Sequence, residues 1–289
     1  MPALSPTLPF QTVPPRTLPS LVAALLALVL AGCAAAPRDG TVATTAAPVA
    51  PTAQTAPAPD PAALYQAALR DSAVPEPADV YGGLLALVRS TPGLEWEGPG
   101  PDARVPDARV KVASLMSEQA FQKYYAAPPD DRVNGDAWGI IWVTPVPQLR
   151  TLCQAVPGDT TTKVERLKQW LGLQPTGSYA RVVEMWVRPD QLARPCPDPE
   201  VTDGACTLDT AKAGPGVDAG YVAWFAANYQ PSYRYNGFPW TRLGYTYDWA
   251  PPGDTVNPLR PVGGSEYIFA PKAAYTISGR YTVQEYCGG

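Results

Sequence analysis

Residues 18–30, LPSLVAALLALVL, form an uncharged apolar run of about 13 residues. A helix needs roughly 20 apolar residues to cross the hydrocarbon core of a bilayer, so this run is too short to span one comfortably. Its length suits the apolar core of an export signal, and Arg16 is the only charge before it. The part that folds is therefore expected after this segment, in water and outside the reducing cytoplasm. With 46% hydrophobic and 17% charged residues, the chain has the balance of a soluble globular domain. Its 36 Pro and 24 Gly predict short elements and many turns.

The run leads into Leu30–Ala31–Gly32–Cys33. This resembles the lipobox of bacterial lipoproteins. The resemblance implies that a diacylglyceryl group is attached to Cys33 Sγ, that signal peptidase II cuts before Cys33, and that the new N-terminus is acylated. Several acyl chains anchor firmly, because each buried methylene contributes about 0.8 kcal/mol. Ala34, rather than Asp, follows the cysteine, which implies the outer membrane in a two-membrane envelope. Residues 34–59 are Ala/Pro/Thr-rich and nearly uncharged, so they cannot bury enough surface to fold and read as a tether. A flexible chain of that length has an end-to-end distance of about 30 Å. The expected organisation is a signal peptide at 1–32, the lipidated Cys33 and tether to residue 59, and one globular domain at 60–289.

Four cysteines remain: Cys153, Cys196, Cys206 and Cys287. An even number in an exported domain implies two disulfides, with three possible pairings. Cys196 and Cys206 bracket a polar loop, so a local staple there is expected, leaving Cys153 for Cys287. The rival pairing, Cys153 with Cys196, has a rationale of its own. WVTPVPQLRTLC at 142–153 and WVRPDQLARPC at 186–196 share Trp-Val-x-Pro, Gln-Leu and a closing Cys. This is either a duplicated strand–turn unit or coincidence among strands that end at Pro, which cannot continue a ladder.

Beyond residue 60 the pattern predicts an α+β fold, with helices mainly N-terminal and an antiparallel-rich sheet mainly C-terminal. Asp60 and Pro61 start a helix. PADVYGGLLALVRS reads as a second helix, weakened by Gly82 and Gly83. The tandem PDARVPDARV at 101–110 reads as extended or loop. Ser117 caps a short helix, and DAWGIIWVTPV reads as a strand. TTTKVERLKQWLGL reads as a helix, with Thr162 and Glu165 at capping-box spacing and Gly172 at its end. YARVVEMWVRP is a strand, and everything after Gly220, including YVAWFAANY, reads mainly as β.

The chain contains no His. Ser-His-Asp and Cys-His catalysis and His-ligated zinc are thereby excluded. The net charge of −4 offers no basic surface for nucleic acid. No phosphate loop leads from a strand into a helix, and no cofactor or metal is expected. Asp198, Glu200 and Asp203 could offer oxygen ligands, but their spacing matches no calcium loop, and they read as a solvated turn.

Carboxylates are the remaining catalytic candidates. Glu184, Asp248 and Glu266 sit in strands, where a convergent pair could perform acid/base chemistry on a glycan. Aromatic residues are the binding candidates. Tyr245, Tyr247 and Trp249 share a strand face and should serve the core together or not at all, the alternative being a stripe that stacks on sugar rings, whereas Tyr233, Tyr235 and Trp240 are expected on a contact surface. The inventory favours a binding module for a protein partner or cell-wall glycan. A carboxylate-dependent glycan hydrolase or transferase and a structural subunit of an envelope assembly are the alternatives.

Cys33→Ala is expected to abolish palmitate incorporation and to leave the signal segment uncleaved by signal peptidase II. Unchanged lipid labelling of that variant would remove the anchor.

Overall fold

The computed structural model describes residues 59–98, 108–209, 216–257 and 261–288. The signal segment, Cys33, the tether and most of the tandem pentapeptide lie outside the described residues. The described part is a mixed α+β fold with two disulfide bridges.

The first helix, α1 (Pro61–Ser72), begins as its sequence dictates. Asp60 Oδ1 accepts from Ala62 N at 3.0 Å, and Pro61 occupies the first turn. Two short strands follow in order, β1 (Trp96–Glu97) and the longer β2 (Arg109–Met116). Ser117 Oγ then caps α2 (Glu118–Tyr124), which leads to β3 (Asp131–Val133). β4 (Trp142–Pro145) passes directly into α3 (Val146–Ala155), and α4 (Thr160–Trp170) and β5 (Arg181–Val187) come next. The C-terminal part contains β6 (Leu192–Ala193), α5 (Ala219–Ser232), β7 (Tyr245–Tyr247), β8 (Val262–Ser265), β9 (Tyr267–Phe269), β10 (Ala274–Thr282) and α6 (Val283–Gly288).

One sheet has the order β3-β10-β5-β2-β4-β9-β6, with β1 also on β2, and β7 pairs with β8. All these pairings are antiparallel. Alternation along the central strands separates two cores. Val110, Val112 and Met116 of β2 and Val183, Met185 and Val187 of β5 pack with Phe121, Tyr267 and Phe269. Ala113, Leu115 and Val182 face the other way, onto Leu149, Leu167, Val283 and Tyr286 of α3, α4 and α6. On that helical side Cys153 is bonded to Cys287, with Cα atoms 5.0 Å apart, tying α3 to α6. Cys196 is bonded to Cys206, with Cα atoms 6.3 Å apart, closing the acidic loop.

Several expectations are corrected. Helices and strands are interleaved: α3 and α4 stand between β4 and β5, and α5 and α6 lie in the C-terminal part. YVAWFAANY belongs to α5. Asp218 caps it through Tyr221 N at 2.8 Å, and its alanines suit a helix despite the aromatic run. PADVYGGLLALVRS is not an α-helix: a 3₁₀ turn at Pro77–Asp79 gives way to irregular chain. There Leu84 N and Leu87 N donate to Gly204 O and Val201 O of the acidic loop, so Gly82 and Gly83 mark a crossing rather than a weak helix. α4 is capped by Asp159, whose Oδ1 takes Thr162 N at 2.9 Å, and not by Thr162.

The repeated phrase is local rather than architectural. Pro145 runs straight into α3, whereas Pro189 opens a 3₁₀ turn. Val112 of β2 lies opposite both Pro145 and Met185, so the second copy sits four residues out of step with the first.

In the chain-entropy picture, replacing Cys153 and Cys287 together by Ala should cost about 5 kcal/mol for a separation of 134 residues, and replacing Cys196 and Cys206 about 3 kcal/mol for 10. Urea unfolding of the two double variants measures both. A larger loss from opening the short loop would contradict this order.

Candidate functional site

The sheet is split at β4. This strand holds β2 at only two positions, Val112↔Pro145 and Ala113↔Thr144. Trp142 and Val143 pair on the other side with Ile268 and Tyr267 of β9. The edge of β2 at Ser114–Met116 therefore has β5 beside it on one flank and no ladder partner from β4 on the other. A cavity of about 850 Å³ occupies this wedge, with the exposed Tyr124 and Ile140 at its outer part. A second cavity of about 420 Å³ lies under α5 and the 236–240 turn. Trp142, Leu171, Leu173, Thr246 and Glu266 line both.

Local sequence brings these walls together. Gly172, at φ +65°, ends α4 and turns Leu171 and Leu173 toward the cavities. In the Val262–Ser265 strand, a Cβ on Gly263 would collide with Trp170 O and Thr246, and one on Gly264 with the Trp170 ring. Thr246 Oγ1 donates to Trp170 O at 2.6 Å and accepts from Gly264 N at 2.8 Å. The glycine pair thus lets β8 lie against the end of α4 and delivers Glu266 to the cavity wall.

Glu266 is half-buried, and among the described residues no donor reaches its carboxyl. Burial alone pushes it from an ordinary value of 4.5 up to about 8. The lining of the larger cavity holds other polar atoms without partners. Thr144 is 3% exposed, and its Oγ1 has no hydrogen bond. Asn134 gives Nδ2 to Ala270 O at 2.9 Å, but its Oδ1 is unpaired. Both residues line the larger cavity.

The other two carboxylate candidates are engaged elsewhere. Glu184 is buried on the helical face of β5, where Arg150 of α3 holds it and Lys111 Nζ stands 3.9 Å away. Glu95 completes that network, 2.6 Å from Lys111 and 3.0 Å from Arg150. Asp248 is buried and takes both terminal nitrogens of Arg166, at 2.9 and 2.7 Å, and also the N–H groups of Ala250 and Val256. Buried charges need such pairing: removing Asp248 would strand Arg166, whereas Arg150 would keep Glu95. Neither residue lines the two cavities, so the three carboxylates do not converge.

The aromatic candidates separate too. Tyr245, Tyr247 and Trp249 all pack inside, in two small clusters. Trp240 is 4% exposed, which corrects its expected place on a surface. Its Nε1 donates to Pro195 O at 3.1 Å, and its ring packs against Trp142, Trp224 and Phe225. Much of the aromatic wealth is in this cluster beneath α5, and of it Trp142 and Trp240 line the smaller cavity. Tyr233 is half-buried, its hydroxyl bonded to Trp240 O and its ring 5.4 Å from the Arg242 guanidinium. Tyr235, at 80% exposure, is the member of the trio free to touch a partner. The acidic loop is organised by buried Arg194, which donates to Asp203 Oδ1 at 2.8 Å and Asp203 O at 2.6 Å. Sequence reasoning missed Trp142 and Thr144; the β-strand reading of 136–146 contained them, but their alternation was the unused signal.

Glu266 gives a pH signature with a definite sign. Below its ordinary pKa of 4.5 the carboxyl is neutral in the folded and unfolded chain alike. Between 4.5 and about 8 it ionises in the unfolded chain but not in the folded one, so stability falls across that window as pH rises. Melting measured from pH 5 to pH 8.5 should therefore decline less steeply in Glu266→Gln than in the parent. Equal slopes would show that the carboxyl is not held neutral. No protein-family model, curated protein or solved structure matches this chain.

Proposed function

We propose that this chain is a binding module held at the cell envelope by lipid on Cys33 and extended on the tether at 34–59. In this reading the wedge between β2 and β4 receives an extended segment of a protein partner. The observation that carries it is the two-residue contact between those strands, beyond which they diverge around a cavity of about 850 Å³. Unpaired strand edges are natural templates for another chain, because main-chain N–H and C=O groups give affinity and flanking pockets select side chains. The volume is also in the ordinary range for a ligand site.

A second reading, a glycan hydrolase or transferase, draws support from Glu266 alone. A carboxyl held protonated near neutrality beside a cavity is the state a general acid needs. A two-carboxylate mechanism gains no support, since Arg150 and Arg166 hold Glu184 and Asp248.

A photo-crosslinking residue at Ile140, 56% exposed at the mouth of the wedge, tests the two readings in the native envelope. Val256, 58% exposed and outside the cavity lining, is the control position. A protein adduct formed at 140 and not at 256 is expected. Adducts to glycan alone, or turnover of cell-wall fragments abolished in Glu266→Gln, would replace the binding reading with the second one.

A further inference from the structure

We infer that the wedge selects a lysine side chain on the bound segment, with the Glu266 carboxylate as counter-ion and the Thr144 hydroxyl as a neutral acceptor for its ammonium. This rests on the peptide-binding reading and names the side chain that reading requires.

The register supplies the geometry. Val143↔Tyr267 is the last pair of β4 with β9, and one further step of that antiparallel register sets Thr144 across from Glu266. Residues opposite one another in such a pair present their side chains on the same face, about 5 Å apart at Cβ. Trp142, two residues before Thr144, is on that face as well. The Trp142, Thr144 and Glu266 side chains all line the larger cavity.

The chemistry of the three points to one ligand class. Thr144 Oγ1 is buried and unpartnered, and no donor reaches Glu266 among the described residues. Both can accept, and the same cavity holds a third unused acceptor, Asn134 Oδ1. An ammonium carries three donors and no acceptor, so it suits the facing Thr144 and Glu266 acceptors. The Trp142 ring adds an aromatic face of the kind that attracts cations, and Leu171 and Leu173 offer apolar walls for a methylene stem. Of the cavity's own charges, Arg132 spends its terminal nitrogens on Tyr124 O and Ala127 O and keeps one buried Nε unpaired, and Asp131 accepts from Thr276 Oγ1 at 2.5 Å. Lysine fits better than arginine, because a guanidinium has five donors in a rigid plane and asks for bidentate acceptors.

The test uses the full chain in detergent against an array of N-acetylated, C-amidated octapeptides. A single central position carries Lys, norleucine, acetyl-lysine or Arg, and the flanking positions are randomised among Val, Thr and Ser. Lys peptides should bind ~10-fold or more tightly than their norleucine partners, the effect of a hydrogen-bonded charge. Glu266→Gln should erase that preference while retaining capture of the peptides, and Thr144→Val should reduce it with melting unchanged or raised. Equal binding of Lys and norleucine, a preference for Arg, or a Lys preference surviving in Glu266→Gln would overturn the inference and leave the peptide reading standing. Capture of no peptide would overturn both.

Discussion

β4 is four residues long and bonded on both sides, and among the described residues it alone joins β3-β10-β5-β2 to β9-β6. With two residues paired to β2 and two to β9, it cannot hold both edges along a common length. A ladder with so little overlap must open on the side where pairing stops. The wedge, the position of Thr144 and the approach of Glu266 all follow from that geometry. Pro145 sets the limit at one end, since a residue without an N–H cannot extend the ladder, and α3 begins at the next position.

The contrast among three acidic residues shows what the fold does with charge. Glu184 and Asp248 are each 1% exposed, yet each has an arginine from an overlying helix. They fasten α3 and α4 to the strands beneath. Burial of an ion pair is weak evidence for net stabilisation, because desolvation offsets attraction, but the pairs do fix where each helix sits. Glu266 lacks such a partner. Keeping an unpaired carboxyl at a cavity wall is unfavourable once it ionises, and the fold tolerates this in the place where it also leaves Thr144 Oγ1 and Asn134 Oδ1 unsatisfied. These acceptors share the lining of one cavity with the unpaired Nε of Arg132.

Local signals in the sequence were legible. Asp60 with Pro61, Ser117 and Gly172 marked helix ends because caps act within a few residues. The pairings Cys196–Cys206 and Cys153–Cys287 followed from loop character and from elimination. The misreadings have physical causes. α5 carries Tyr221, Val222, Trp224 and Phe225 in close succession, a composition that suits strands, and its decisive mark was the cap at Asp218. Nothing local separates Glu184 or Asp248 from Glu266; the difference is whether an arginine, 34 or 82 residues away, reaches the carboxylate. The wedge was illegible for the same reason, since it arises from pairings between β2, β4 and β9 that are distant in the chain.

A carboxyl kept neutral by its surroundings has a consequence for how the cavity deals with cations. A cation that pairs with Glu266 as a carboxylate near neutral pH displaces its proton, so one positive charge replaces another. The charge of the whole domain is then nearly the same before and after, and little counter-ion rearrangement accompanies the event. Such an exchange responds weakly to ionic strength and strongly to the proton concentration outside. A cavity built this way answers to the proton concentration around it more than to salt.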